Sequence, residues 1–252
     1  MAGVVSTMEI TAACFATGCF ADAGFRVRPP RGLAGVNMKS ELTMRIVHVL
    51  AAAALSTAAL AQAPSAAPGS RNAALVSAGT YSVDPNHTLV TWTLDHLGFS
   101  PYTGIFGDVT GTLTIDPKNL RAAKVDVRIP ISKVVTASAG LTEHLLRAGK
   151  DGGKPDFFGA RPEDARFVST SVVATGQKAK IRGNLTLNGI TRPVTLDAKF
   201  YGAGKAPAEM GGKDNLGFTA TGTILRSQFG LGFGVPMVGD AVKLDISAAF
   251  QK

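Results

Sequence analysis

"AKIRGNLTLNGITRPVTLDA", residues 179–198, is a pair of alternating runs joined by Asn188-Gly189. Asn-Gly is the strongest short hairpin signal, because both central residues of a type I′ turn need positive φ. A two-residue turn there pairs Leu187 with Ile190, Leu185 with Arg192, Gly183 with Val194, Ile181 with Leu196 and Ala179 with Ala198. Except at Arg192, every pair sets apolar or small side chains on one face. Turn chemistry and hydrophobic pattern therefore choose one register.

The period of two recurs along the chain. In "AKVDVRIPISKV" (123–134), Val125, Val127, Ile129 and Ile131 share one phase. Val90, Trp92 and Leu94 share one in "HTLVTWTLDH", and Ile105, Gly107, Val109, Gly111, Leu113 and Ile115 share one in "GIFGDVTGTLTID", read as a single strand. "ARFVSTSVVAT", "NLGFTATGTILRSQFG" and "DAVKLDISAAF" continue the pattern, and Asp116-Pro117 and Thr175-Gly176 mark turns. Eight long strands result, with a short lead-in at Thr80–Asp84. Only Ser138–Lys150 reads as helix, capped by Ser138 with Leu141, Leu145 and Leu146 on one side, after which a loop returns Phe157 and Phe158 to the sheet.

One helix cannot cover so many strands, so the sheet must close on itself or pack on another sheet. The all-β reading is an eight-stranded antiparallel barrel, a size that side chains can fill or that can hold one ligand. The inward phase is rich in small residues: Gly107, Gly111, Gly183, Gly222, Ala179, Ala198, Ala220 and Ala248. That predicts a lined cavity, with a dry-cored sandwich as the alternative.

Composition narrows the function. The 252 residues carry a formal net charge of +8, yet Lys and Arg are scattered singly and never form a run. No base-stacking aromatic motif accompanies them, which argues against nucleic acid. "MRIVHVLAAAALSTAALAQAP", from Met44, has the basic start, apolar run and small-residue end of a secretory signal peptide. Cleavage after Ala61 avoids Pro64 beside the cut and leaves Gln62 first. The expected organisation is an over-extended gene model at 1–37, with translation from Met38 or Met44, a signal peptide at 38–61, a flexible leader at 62–78 and a barrel domain at 79–252. Cys14 and Cys19 would be absent from the mature chain, which suits an oxidising periplasm.

The chemistry of catalysis is sparse. His87, His96 and His144 are the histidines of that mature chain, and no HExxH, P-loop, dinucleotide or GxSxG motif is present. His87 and His96 are an odd number of residues apart and would face opposite sides of a regular strand. The expectation is no enzyme, no metal and no cofactor. Polar side chains closing the inward rows, His96, Arg192 and Arg226, are candidate contacts for a ligand headgroup.

"YSVDPNHTLVTWTLDHLGFSPYTGIFGDVTGTLTIDP" resembles the opening of the YceI-like family of secreted bacterial proteins. "LTEHLL", "PDFFGA", "ARFVSTSV", "GNLTLNGITRPVTL", "RSQFGLG" and "VGDAVKLDI" follow in the family's order, covering 80–250. The resemblance implies a lipocalin-like barrel holding a polyisoprenoid or isoprenoid-quinone-like lipid without transforming it. Some relatives are joined to a membrane cytochrome, so the resemblance points to quinone traffic with such a cytochrome or another quinone-linked partner. Independently of the resemblance, a monomer or a homodimer is expected. A redox accessory or enzyme acting on a bound quinone is the alternative. The chain departs from the pattern at Lys150–Pro155, where extra residues follow the helix. The expected cavity lining is Val90, Trp92, Leu94, Val109, Leu113, Val125, Val127, Ile129, Ile131, Phe167, Ile181, Leu185, Leu196, Phe200, Phe218 and Ile224.

Overall fold

The computed structural model describes residues 66–252. The signal segment, both cysteines and the proposed start sites lie outside the described residues. The strands are β1 (Gly79–Val83), β2 (Leu89–His96), β3 (Ser100–Phe106), β4 (Thr110–Ile115), β5 (Lys124–Ile129), β6 (Val135–Thr136), β7 (Ala165–Thr175), β8 (Lys178–Leu187), β9 (Ile190–Lys205), β10 (Asp214–Leu225) and β11 (Ala241–Gln251). One α-helix, α1 (Ala139–Leu146), follows β6.

Antiparallel pairing runs β1-β4-β5-β7-β8-β9-β10-β11, and β1 pairs back onto β11 through Ser82–Gln251 and Val83–Phe250. That ring is a closed eight-stranded barrel, which leaves no free edge along the ring. The hairpin at Asn188-Gly189 has φ of 52° and 72°, the signs a type I′ turn requires, and its register is the one read from the sequence.

β2 does not belong to the ring. It pairs with the first half of β11, from Ser247 back to Lys243, and carries β3 and β6 outward as a flap. The lead-in β1 takes the ring place beside the end of β11. The run expected as one strand over 104–116 is therefore two. Asp108, at φ 54°, bends the chain between β3 and β4, and the phase breaks with it: Ile105 is exposed while Val109, Leu113 and Ile115 are buried.

α1 begins where its cap predicts, the Ser138 hydroxyl accepting from the Leu141 N–H at 3.3 Å. It ends at Leu146 rather than Lys150, the backbone turning extended at Arg147 (φ -76°, ψ 149°). Phe158 then donates its N–H to the Leu145 carbonyl at 3.1 Å, satisfying one acceptor of the last turn.

The stretch expected as a flexible leader is docked over its described part. Ser70 and Ala203 exchange both backbone hydrogen bonds at 2.9 Å, extending β9 where β8 has ended. Asn72 caps a short 3-10 turn over Ala73–Leu75, and Val76 packs against the core. Unpaired backbone on the long end of β9 attracts this strap, an attraction its Ala- and Ser-rich composition does not announce.

Candidate functional site

The barrel encloses a cavity of about 420 Å³, within the range of small-molecule sites. Its wall is almost wholly apolar. Val125, Val127, Ile129 and Ile131 all face it, although Pro130 ends β5 before Ile131, which lies in a 3-10 turn. Val90, Val109, Leu113, Phe167, Ile181, Leu185, Leu196, Phe200, Phe218 and Ile224 line it as well. Trp92 and Leu94 do not. They sit farther along β2, towards the flap, where Trp92 lies over Gly104 of β3 and packs against Phe106 at 6.5 Å between ring centroids. The Trp92 indole N–H is buried there without a hydrogen-bond partner.

The space comes from alanine, not glycine. Ala179, Ala198 and Ala220 are cross-strand neighbours on β8, β9 and β10, and all three line the cavity. Gly183 does not, because Phe167 on the paired strand lies over it, and a Cβ there would sit 2.3 Å from the ring. Leu196 covers Gly222 in the same way, and a Cβ at Gly111 would meet the Asp126 carbonyl at 2.2 Å. These glycines admit a neighbouring side chain or backbone rather than leave a void.

None of the three expected headgroup contacts reaches the cavity. His96 is exposed beyond the end of the ring, bridged through its backbone to Val238. Arg192 is exposed and donates to the carbonyl of Thr191 at 3.1 Å. Arg226 is 4% exposed, but its guanidinium is spent on the 226–240 loop. Nε donates to the Gly239 carbonyl at 2.8 Å, Nη1 to those of Leu231 and Phe233, and Nη2 to that of Val238 at 2.8 Å. Burial lowers its pKa and the Asp240 charge opposes that, and an arginine still stays protonated. Arg226 closes one end of the barrel.

The opposite end is open. The exposed lining residues, Ala73, Pro117, Gly176, Gln177 and Lys178, all lie where β4, β7 and β9 end and β5 and β8 begin. Polar lining is confined to Gln177 and Lys178 at this mouth and to Thr88 inside, whose hydroxyl donates to the Ala249 carbonyl at 3.1 Å. Gln177 also donates to the Arg71 carbonyl at 3.0 Å, tying the strap across the rim. The sequence marks this turn with Gly176 but says nothing of which barrel end it occupies.

His87 pairs with Asp84, and His144 with Asp156, each at 2.7 Å and each outside the cavity. Among the described residues no three His, Cys, Asp or Glu side chains are grouped to hold a metal.

The model of the YceI-like domain matches residues 81–250, spanning the ring and its flap. The chain belongs to the YceI-like family. It is 40% identical over 173 residues to the YceI proteins of Salmonella arizonae and Salmonella paratyphi B, covering 68% of this chain and 85% of theirs. Among solved structures it resembles the Campylobacter jejuni YceI protein at 29% identity, with a TM-score of 0.51 over 63% of this chain and 89% of that one. Burkholderia cenocepacia BcnA shares the fold at 22% identity and a TM-score of 0.52, over 66% and 98% of the two chains. In this YceI-like chain the family's fold surrounds an apolar cavity with one open end.

Proposed function

We propose that this YceI-like protein is a periplasmic carrier that holds a polyisoprenoid or isoprenoid-quinone-like lipid in its barrel without transforming it. The observation that carries the reading is the apolar, one-ended cavity of about 420 Å³. A hydrocarbon tail gains roughly 0.8 kcal/mol for each CH₂ removed from water. A bilayer solvates the tail equally well, so the barrel competes with a membrane through shape and through the few polar groups at its mouth. It shelters the lipid across water rather than draining a membrane. The tail lies along the alanine row, and a headgroup rests at Gln177 and Lys178. The secretory pattern at 44–64 supports the location.

Native mass spectrometry of the protein purified from its own periplasm, followed by organic extraction, tests this. A bound long isoprenoid is expected. A barrel recovered empty, and unable to take up an isoprenoid when delipidated and titrated, overturns the reading. Turnover of a bound quinone would make the protein an enzyme instead.

A further inference from the structure

Charge is unevenly placed over the described molecule. At the mouth, the β4–β5 loop brings Lys118 and Arg121, with Lys124 opening β5. Lys178 and Lys199 are cross-strand partners on β8 and β9, and the β9–β10 connection is flanked by Lys205 and Lys213. Arg71 on the strap and the terminal Lys252 complete the rim. Acidic residues at this end are Asp116, Glu209, Asp214 and Asp197, and Lys180 neutralises Asp197 at 2.6 Å. Basic side chains outnumber acidic ones here by more than two to one. Over the rest of the described residues the two signs balance.

Two large apolar side chains stand exposed within the same rim. Leu75 on the strap is 51% exposed and Met210 in the β9–β10 loop is 73% exposed. Strand and loop ends that combine cationic side chains with projecting apolar ones match the interface of an anionic bilayer: charge attracts over a Debye length, and the apolar tips enter the headgroup boundary.

From this placement we infer that the open end of the barrel is a membrane-docking face that seats on an anionic lipid surface with the cavity mouth against the headgroups. Charge complementarity decides the occupant: the basic excess is confined to the end where the cavity opens. The inference stands on that distribution and not on what the cavity carries.

The test is partition of the purified full chain, as expressed, onto phosphatidylcholine vesicles with and without phosphatidylglycerol. Binding to the anionic vesicles only is expected, released at 1 M salt, where the Debye length shrinks to about 3 Å. The rim variant Lys118→Glu/Arg121→Glu/Lys213→Glu should partition at least tenfold less, since each cation near such a surface contributes roughly a factor of five. The control Lys150→Glu/Lys154→Glu/Arg161→Glu, which makes the same charge change at the far end, should partition like wild type. All six side chains are exposed, and far-UV circular dichroism checks that each variant folds. Equal binding by rim and control variants overturns the inference. So does failure of wild type to bind, including the case where the rim variant instead loses a co-purifying acidic protein. Lipid loading is read separately by native mass, so an empty barrel that still docks sinks the carrier reading and leaves the docking face standing.

Discussion

Arg226 is the single residue whose role the strand pattern most misplaces. Its inward phase suggests a headgroup contact, yet it gathers four loop carbonyls at the closed end. Replacing it with Met leaves those acceptors without their donor, and unsatisfied buried groups cost about 1–3 kcal/mol each before the loop relaxes. Arg226→Met should therefore destabilise by about 3 kcal/mol in urea melts, while the surviving folded protein still loads lipid. Loss of loading without loss of stability would return Arg226 to the ligand. Leu97 makes the opposite case. It holds φ 59° in the β2–β3 turn and is 42% exposed, so its side chain does little to offset the left-handed backbone. Leu97→Asn should stabilise by about 1 kcal/mol, a rise visible in thermal melts. An unchanged or lower melting temperature would mean that the leucine packs usefully against Met237, whose carbonyl accepts the Leu97 N–H.

Among elements, the β8–β9 hairpin was the most legible, because its two signals are local: turn residues in sequence and alternation on either side. Its consequence for the cavity was not legible. Gly183 and Ala179 share an inward face, but only the alanine borders empty space, since Phe167 reaches across from β7 to cover the glycine. Gly183→Leu should therefore cost folding, by several kcal/mol of overpacking, rather than fill a void. Ala198→Phe, in the middle of the alanine row, should keep most of the stability and lose most of the lipid, measured as the loaded fraction in native mass spectra. Equal loading of Ala198→Phe and wild type would place the ligand elsewhere. Strand β2 shows the same limit. Its alternation is as regular as any, and nothing local tells that β11 hands it to a flap instead of the ring.

At the scale of the molecule, half-buried, hydrogen-bonded carboxylates set the acid limit. The hydrogen bond from Arg166 holds Asp126 below its ordinary value of 3.8, those from His144 and Arg147 do so for Asp156, and those from Ser227 for Asp240. A depressed folded pKa contributes stability that is present above the unfolded value and is lost as pH falls through the folded one. Melting temperatures should be level from about pH 7 to 5 and decline below about pH 4, and Asp126→Asn should soften that decline. A decline setting in near pH 6 would point to other groups.

Sequence alone determined the all-β class, the hairpin register, the helix cap and most of the cavity wall. Each depends on alternation or turn chemistry within a few residues, where the backbone leaves little choice. Only the tertiary structure decided which strands close the ring, which small residues border space, where the leader docks and which end opens. Those outcomes depend on partners far apart in the chain. The basic residues show the difference most plainly. Along the sequence they stand singly among other residues, while closure of the barrel brings the β4–β5, β7–β8 and β9–β10 connections to one end and gathers their charge around the mouth.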